Sequence, residues 1–207
     1  MTEPDLQDAY ALETPDDAKR LYANWAETYD RSFAEDMDFV LPARVAQAFV
    51  GAGGGGPVLD FGCGTGLVGQ HLADLGIAPV DGADLSPEML RVAERKEVYR
   101  KLIEGNVLDG LTIPTGTYAG VVSSGTFTHG HVGPDAIDEL LRLAAPGAQF
   151  ALSINGAHFE AEDFAAKFTT LAGKITDLTL PELRFYGDRA IGDHKDDIGK
   201  IALFRKA

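Results

Sequence analysis

The stretch "PVLDFGCGTGLVGQHLADLG", Pro57 to Gly76, constrains the fold more than any other part of the chain. An apolar run ends in an aspartate, three glycines follow within five residues, and an amphipathic segment comes next. Gly62, Gly64 and Gly66 fall where a strand must turn sharply into a helix, and glycine tolerates the positive φ and close backbone approach such a turn demands. A tight turn alone would account for them. In a doubly wound sheet, however, this turn lies at the C-terminal end of the first strand, where ligands bind, and the helix behind it offers free N–H groups.

The remaining chain repeats the alternation of strand and helix. Strands are predicted at Val58 to Phe61, up to Asp84, at Leu102 to Glu104, at Ala119 to Ser123 and at Gln149 to Ile154. Helices are predicted at Leu67 to Leu75, Pro87 to about Lys96 and Pro134 to Ala144. Two further strands, "DLTLPELRFYGD" and "IGKIALFRK", are joined by the polar "RAIGDHKDD", with no room for a crossover helix, so they must pair antiparallel. The expected fold is α/β: a Rossmann-like, doubly wound, mainly parallel sheet of seven strands with an antiparallel C-terminal hairpin. Upstream, "TPDDAKRLYANWAETYD" offers a cap at Thr14, Pro15 in a first turn, and Leu21, Trp25 and Tyr29 on one helix face. A second helix is expected over Leu41 to Val50, and "GAGGGGP" then reads as a flexible connector. The division is residues 1–56 as an N-terminal unit and 57–207 as the main domain.

Composition narrows the partners. The 207 residues carry 32 acidic and 18 basic side chains, a formal charge of -14, which would repel a phosphate backbone or an anionic membrane surface. No nucleic acid and no membrane partner is therefore expected. The acidic N-terminus lacks the apolar core of a secretory signal, and no apolar run approaches the ~18 residues that span a bilayer. Cys63 is the sole cysteine, so no internal disulfide or cysteine zinc site can form, and a cytoplasmic location is expected.

The choice of ligand turns on spacing. Dinucleotide enzymes seat a pyrophosphate with G-x-G-x-x-G, and the third glycine of that pattern would fall at position 67, which is Leu67. Here the spacing is G-x-G-x-G behind Asp60, and a carboxylate suits a ligand with an ammonium group and a sulfonium. "VLDFGCGTG" resembles the first motif of the class I S-adenosylmethionine-dependent methyltransferases, and the likeness extends over nearly the whole chain. "VDGADLS" ends on Asp84, where that family holds the ribose hydroxyls. "EGNVLDGL" lies where the family meets adenine, with Asn106 replacing the usual acid. "GVVSSGTFTHGHVGPDAIDELLRLAAPGAQFALSI" resembles the small Williams–Beuren-region methyltransferase-like subgroup, and it lacks the Asn/Asp-Pro-Pro-aromatic motif of nucleobase amino methyltransferases. "YANWAETYD" is similar to the family's lid, making 1–56 a helical lid with its connector.

The resemblance implies S-adenosylmethionine as cofactor and S-adenosylhomocysteine as product. It implies cofactor contacts from Tyr22, Trp25 and Tyr29 of the lid and from Asp60, Gly62, Cys63, Gly64 and Gly66 of the loop. Asp84, Leu85 and Met89, then Asn106 and Val107, then Ser124 and Gly125 complete that set. Transfer from a sulfonium is an in-line displacement that positioning and desolvation largely accelerate. An acceptor with a dissociable proton needs a base, and His129, directly after the fourth strand, is the candidate, a loop-fixing role being its alternative. His131 reads as structural or solvent-facing, and His158, Glu160, Tyr186 and His194 read as structural. No metal spacing is present. The expected reaction is methylation of a small-molecule acceptor. A non-catalytic donor-binding sensor or partner-complex module is the alternative, and a nicotinamide oxidoreductase is disfavoured by Leu67.

Overall fold

A computed structural model describes Pro4, Asp8 and residues 15–207; the expected cap Thr14 lies outside the described residues. Eight strands form one sheet of order β3-β2-β1-β4-β5-β8-β6, with β7 also paired to β8. β1 (Val58–Phe61), β2 (Val80–Asp84), β3 (Lys101–Glu104), β4 (Tyr118–Phe127) and β5 (Ala144–Asn155) run parallel. β8 (Ile198–Lys206) lies antiparallel to β5, and β6 (Ile175–Thr179) and β7 (Glu182–Arg184) pair antiparallel with β8. All four β1 residues are buried, Asp60 among them, which is why Val58 and Leu59 are apolar in succession rather than alternating with polar residues.

Helices cover both faces. α1 (Pro15–Trp25), α2 (Leu41–Gly51) and α3 (Leu67–Asp74) precede α4 (Pro87–Glu94) and α5 (Ala136–Leu143); the short α6 (Gly156–Ala161) and α7 (Phe164–Thr170) follow β5. Phe49, Val45 and Leu72 pack on one face of the sheet with Trp25 and Phe33, while Leu140, Phe150, Phe164 and Phe204 fill the other. Each such fully buried side chain contributes roughly 1.5–3 kcal/mol. Sequence and structure differ at four places. The predicted seven strands are eight, because Pro181, which has no N–H to donate to the ladder, separates β6 from β7. The helix expected to continue to Tyr29 ends at Trp25, and the chain passes through turns into a π-helical turn at Asp30–Glu35. α6 and α7, absent from the sequence reading, start at Asn155 and Asp163, whose side chains accept from His158 N and Ala166 N. The glycine connector after α2 is packed: a Cβ on Gly54 would strike the Phe49 ring. No helix among the described residues is long and apolar enough to cross a membrane.

Candidate active site

The site forms at the C-terminal ends of β1, β2 and β4. Gly62 has φ +67, and a Cβ there would collide with the Thr126 side chain of β4, whose hydroxyl donates to Phe61 O at 3.3 Å. Gly64 has φ +52, yet a Cβ there would meet nothing, because this glycine faces an open cleft. The two positions therefore separate structure from binding. Gly62→Ala is expected to cost roughly 3 kcal/mol of stability, from the left-handed backbone plus the clash. Gly64→Ala should cost about 1 kcal/mol and weaken donor binding far more than stability. Urea unfolding beside calorimetric titration of each variant checks the split.

Two carboxylates lie behind the loop. Asp60 is fully buried; its Oδ2 accepts from the Tyr99 hydroxyl at 2.6 Å and its Oδ1 has no partner. Burial pushes its pKa up to about 7, with the nearby Asp84 charge adding to the rise and the Tyr99 bond opposing it. The Tyr99 oxygen also accepts from Gly69 N at 3.2 Å, and a Cβ on Gly69 would strike the Tyr99 ring. Tyr99 thus ties the first turn of α3 to Asp60. Asp84, at the end of β2, accepts from Gly64 N at 2.8 Å through Oδ2 and from Ser86 N at 2.9 Å through Oδ1. Burial raises its pKa as well. Ser86 caps α4 by accepting from Met89 N at 3.2 Å, ahead of Pro87.

A cleft of about 1100 Å³, counting its open mouth, runs across these ends. Of the residues singled out from sequence, Tyr22, Tyr29, Gly62, Cys63, Gly64, Asp84, Leu85, Met89, Asn106, Val107, Ser124 and Gly125 line it. Asp60, Gly66, Trp25 and His129 do not. Asp60 sits beneath the loop, and Gly66 forms the N-cap of α3 with φ 93. Trp25 is buried at 2% exposure and donates from Nε1 to Ser32 Oγ at 3.2 Å. Asn106 Oδ1 already accepts from Leu108 N at 3.0 Å, capping the short 3-10 turn Val107–Asp109. Burial raises the Cys63 thiol well above its ordinary value, so it is inert as a nucleophile. Among the described residues, no group of three or more His, Cys, Asp or Glu could hold a metal ion.

The N-terminal elements cover this cleft. Asp30 accepts from Thr65 Oγ1 of the glycine loop at 2.5 Å and from Lys96 Nζ at 2.6 Å, and Glu27 pairs with both terminal nitrogens of Arg95 at 2.7 Å. Rings then continue from Trp25 to Tyr29 (5.1 Å between centroids), Phe33 (4.9 Å), Phe39 (5.0 Å) and Tyr186 (5.7 Å). Beneath them is a second cavity, sharing Tyr22, Tyr29, Phe39, Gly125 and His131 with the first cleft and lined by no Asp, Glu, Lys or Arg. His129, exposed, and Tyr186 line this second cavity rather than the first. His131 lines both, bonding through Nε2 with the Tyr22 hydroxyl at 3.1 Å and through Nδ1 with His129 O at 2.9 Å. His158 bonds through Nε2 with Val132 O at 3.0 Å, which pins the loop carrying His131.

Sequence reasoning did not single out Tyr99, Thr65, Asp30 or Phe39, and it gave His131 no chemical part. For Tyr99 a trace existed: Cβ atoms on Gly66, Gly69 and Gly82 would all press on its ring, so a spaced set of glycines marks its seat.

The antiparallel strand inserted between β5 and β6 distinguishes this sheet from the wholly parallel dinucleotide-binding ones, and the G-x-G-x-G turn fits the same conclusion. In its sheet order and glycine turn the chain resembles the class I S-adenosylmethionine-dependent methyltransferases. Residues 58–147 match the family described as a methyltransferase domain. Methyltransferase-like protein 27 of Homo sapiens is 33% identical over 146 residues, which are 67% of this chain and 59% of that protein. The 18S rRNA (guanine-N(7))-methyltransferase of Bos taurus is 42% identical over 66 residues, 32% of this chain and 23% of that protein. Two solved structures share the fold. The DhpI–SAH complex has a TM-score of 0.64 and 20% identity, covering 91% of this chain and 94% of that one. A structure concerned with conversion of a disulfide bond into a thioacetal group during echinomycin biosynthesis has a TM-score of 0.67 and 24% identity, covering 93% of this chain and 92% of that one.

The residues present fit the family's cofactor, S-adenosylmethionine. Asp60 Oδ1 and Ser124 Oγ are buried polar atoms without partners, and Gly64 leaves space where any side chain would intrude.

Proposed function

We propose that this protein transfers a methyl group from S-adenosylmethionine to a small, uncharged acceptor held in the aromatic cavity under the N-terminal helices. The observation that carries this proposal is the second cavity: it shares a wall with the donor cleft and is lined by no charged side chain. In this scheme residues 1–56 form the lid unit and 57–207 the methyltransferase domain. The Asp60 charge and the Gly62–Gly66 loop hold the methionine end, Asp84 the ribose, and Asn106 with Val107 the adenine. S-adenosylmethionine supplies an electrophilic methyl on a sulfonium whose positive charge is lost on transfer. The chain contributes alignment of acceptor and donor, exclusion of water by the aromatic rings, and carboxylates that favour the cationic donor over its neutral product.

A macromolecular acceptor is the second reading, since some relatives are named for 18S rRNA. Their similarity is confined to 66 residues, and a formal charge of -14 opposes approach of a polyanion. Cys63, the sole cysteine and buried, fits a reducing cytoplasm.

Thermal unfolding with S-adenosylmethionine, S-adenosylhomocysteine and NADH tests the donor. At about 100 times its dissociation constant a ligand adds roughly 2.7 kcal/mol, or on the order of 5–10 °C here. Shifts are expected with the first two alone. Formation of S-adenosylhomocysteine is then followed with a small-molecule cell extract and with total RNA as acceptors. Turnover is expected with the extract only. Labelling of RNA would replace this proposal with the macromolecular one, and turnover with neither would leave the donor-binding sensor standing.

A further inference from the structure

We infer that Tyr22 and His131, one from the lid helix and one from the loop after β4, act together as the proton acceptor of the transfer, and that the acceptor is a neutral molecule bearing an acidic hydroxyl. This rests on the proposed methyl transfer. Geometry fixes the roles. His131 Nδ1 lies 2.9 Å from the His129 carbonyl, which can only accept, so Nδ1 carries the hydrogen and Nε2 presents a lone pair. That lone pair faces the Tyr22 hydroxyl at 3.1 Å. Burial raises the Tyr22 pKa, with the Asp84 charge adding to it, so the phenol stays protonated and is the donor of this bond. Its oxygen keeps lone pairs to accept a further proton, and Tyr22 lines both cavities.

The acceptor hydroxyl passes its proton to Tyr22 Oη while the Tyr22 proton passes to His131 Nε2. The acceptor oxygen forms its bond to the methyl carbon, the carbon–sulfur bond breaks, and its electron pair goes to sulfur, giving neutral S-adenosylhomocysteine. The imidazolium then returns its proton to water. The groups facing His131 are Tyr22 from α1, His129 from its own loop and His158 from α6. Burial keeps His131 below the ordinary histidine value, so it starts neutral at pH 7 and is free to accept. His129 supplies a backbone carbonyl to this arrangement, and its own exposed ring is not needed by it.

An uncharged, ring-lined cavity suits a neutral aromatic guest. It gives a quaternary or primary ammonium no carboxylate. The pair is complete only when α1 is seated, so proton removal is tied to lid closure.

The test uses two phenols of similar size as probes: 4-nitrophenol, largely ionised at pH 8, and 4-methylphenol, which is not. Wild-type protein should methylate both. His131→Gln and Tyr22→Phe should each lower kcat/KM on 4-methylphenol relative to kcat/KM on 4-nitrophenol about 100-fold or more, because an ionised acceptor needs no base. Equal losses on both phenols would make the pair a positioning element and overturn the proposal, as would no loss on either. Titration with S-adenosylmethionine in the same samples separates the failures. Binding without turnover of either phenol overturns this proposal alone, and no binding overturns the methyl-transfer reading beneath it.

Discussion

At pH 8 the Asp60→Asn variant is expected to melt above the wild-type protein while binding S-adenosylmethionine more weakly. A carboxyl whose pKa is carried by folding from 3.8 to about 7 costs ~4 kcal/mol once both states are ionised. The sign follows from proton uptake. Between pH 4 and pH 7 the folded state holds the Asp60 proton that the unfolded chain has released, so this group destabilises the fold progressively as pH rises and reaches its full cost above pH 7. Asparagine removes the charge and keeps an oxygen for Tyr99, but its amide nitrogen takes the place of an unpartnered atom, a penalty of ~1–3 kcal/mol. The net gain is about 2 kcal/mol, or roughly 4–8 °C at pH 8, shrinking and reversing toward pH 4. Melting curves across that range give the crossing directly, and parallel curves at every pH would mean that folding leaves the Asp60 pKa near its ordinary value of 3.8. Loss of a buried negative charge behind the glycine loop should weaken donor binding by on the order of tenfold. Wild-type binding near pH 7 should release a fraction of a proton, read by calorimetry in two buffers of different ionisation enthalpy.

The Asp84→Ala variant carries the larger expected loss in binding. In the free protein Asp84 holds Gly64 N and Ser86 N, so the carboxylate both shapes the glycine loop and presents the charge proposed to meet the ribose hydroxyls. Charge-assisted hydrogen bonds are worth ~1.5–3 kcal/mol each, and removing this group should cut donor affinity about 100-fold. The change in melting temperature should be small, because relief of a buried charge offsets two lost backbone partners. Asp84→Asn should fall between. Unchanged affinity for S-adenosylmethionine in Asp84→Ala would remove Asp84 from the ribose site.

What the sequence shows and what it hides divide along physical lines. The central strands were legible because burial on both faces puts apolar residues at successive positions, as at Val58 and Leu59 of β1, and the glycine turn was legible because backbone geometry there admits few other residues. The end of α1 was not: apolar residues continue at four-residue spacing through Trp25 and Tyr29 even though the regular helix stops between them. α6 and α7 are too short for periodicity to speak, and their caps, Asn155 and Asp163, resemble ordinary loop residues. The two loop histidines sit two residues apart in an irregular segment, and no local pattern says which ring meets α1. That choice belongs to Tyr22, more than a hundred residues upstream. Tyr99 lies outside every helix and strand, and its link to Asp60 spans 39 residues.

One consequence of the aromatic stack concerns light rather than chemistry. Trp25 is the protein's single tryptophan, and it lies at the end of α1 with only 2% of its surface exposed, its indole N–H bound to Ser32. Excitation selective for tryptophan therefore reports on one place, the seam between the covering helix and the cavity beneath it. Any molecule that lifts or seats that helix changes the colour and intensity of one buried emitter. The protein carries its own indicator of any change at this seam, readable without a label and on the timescale of mixing.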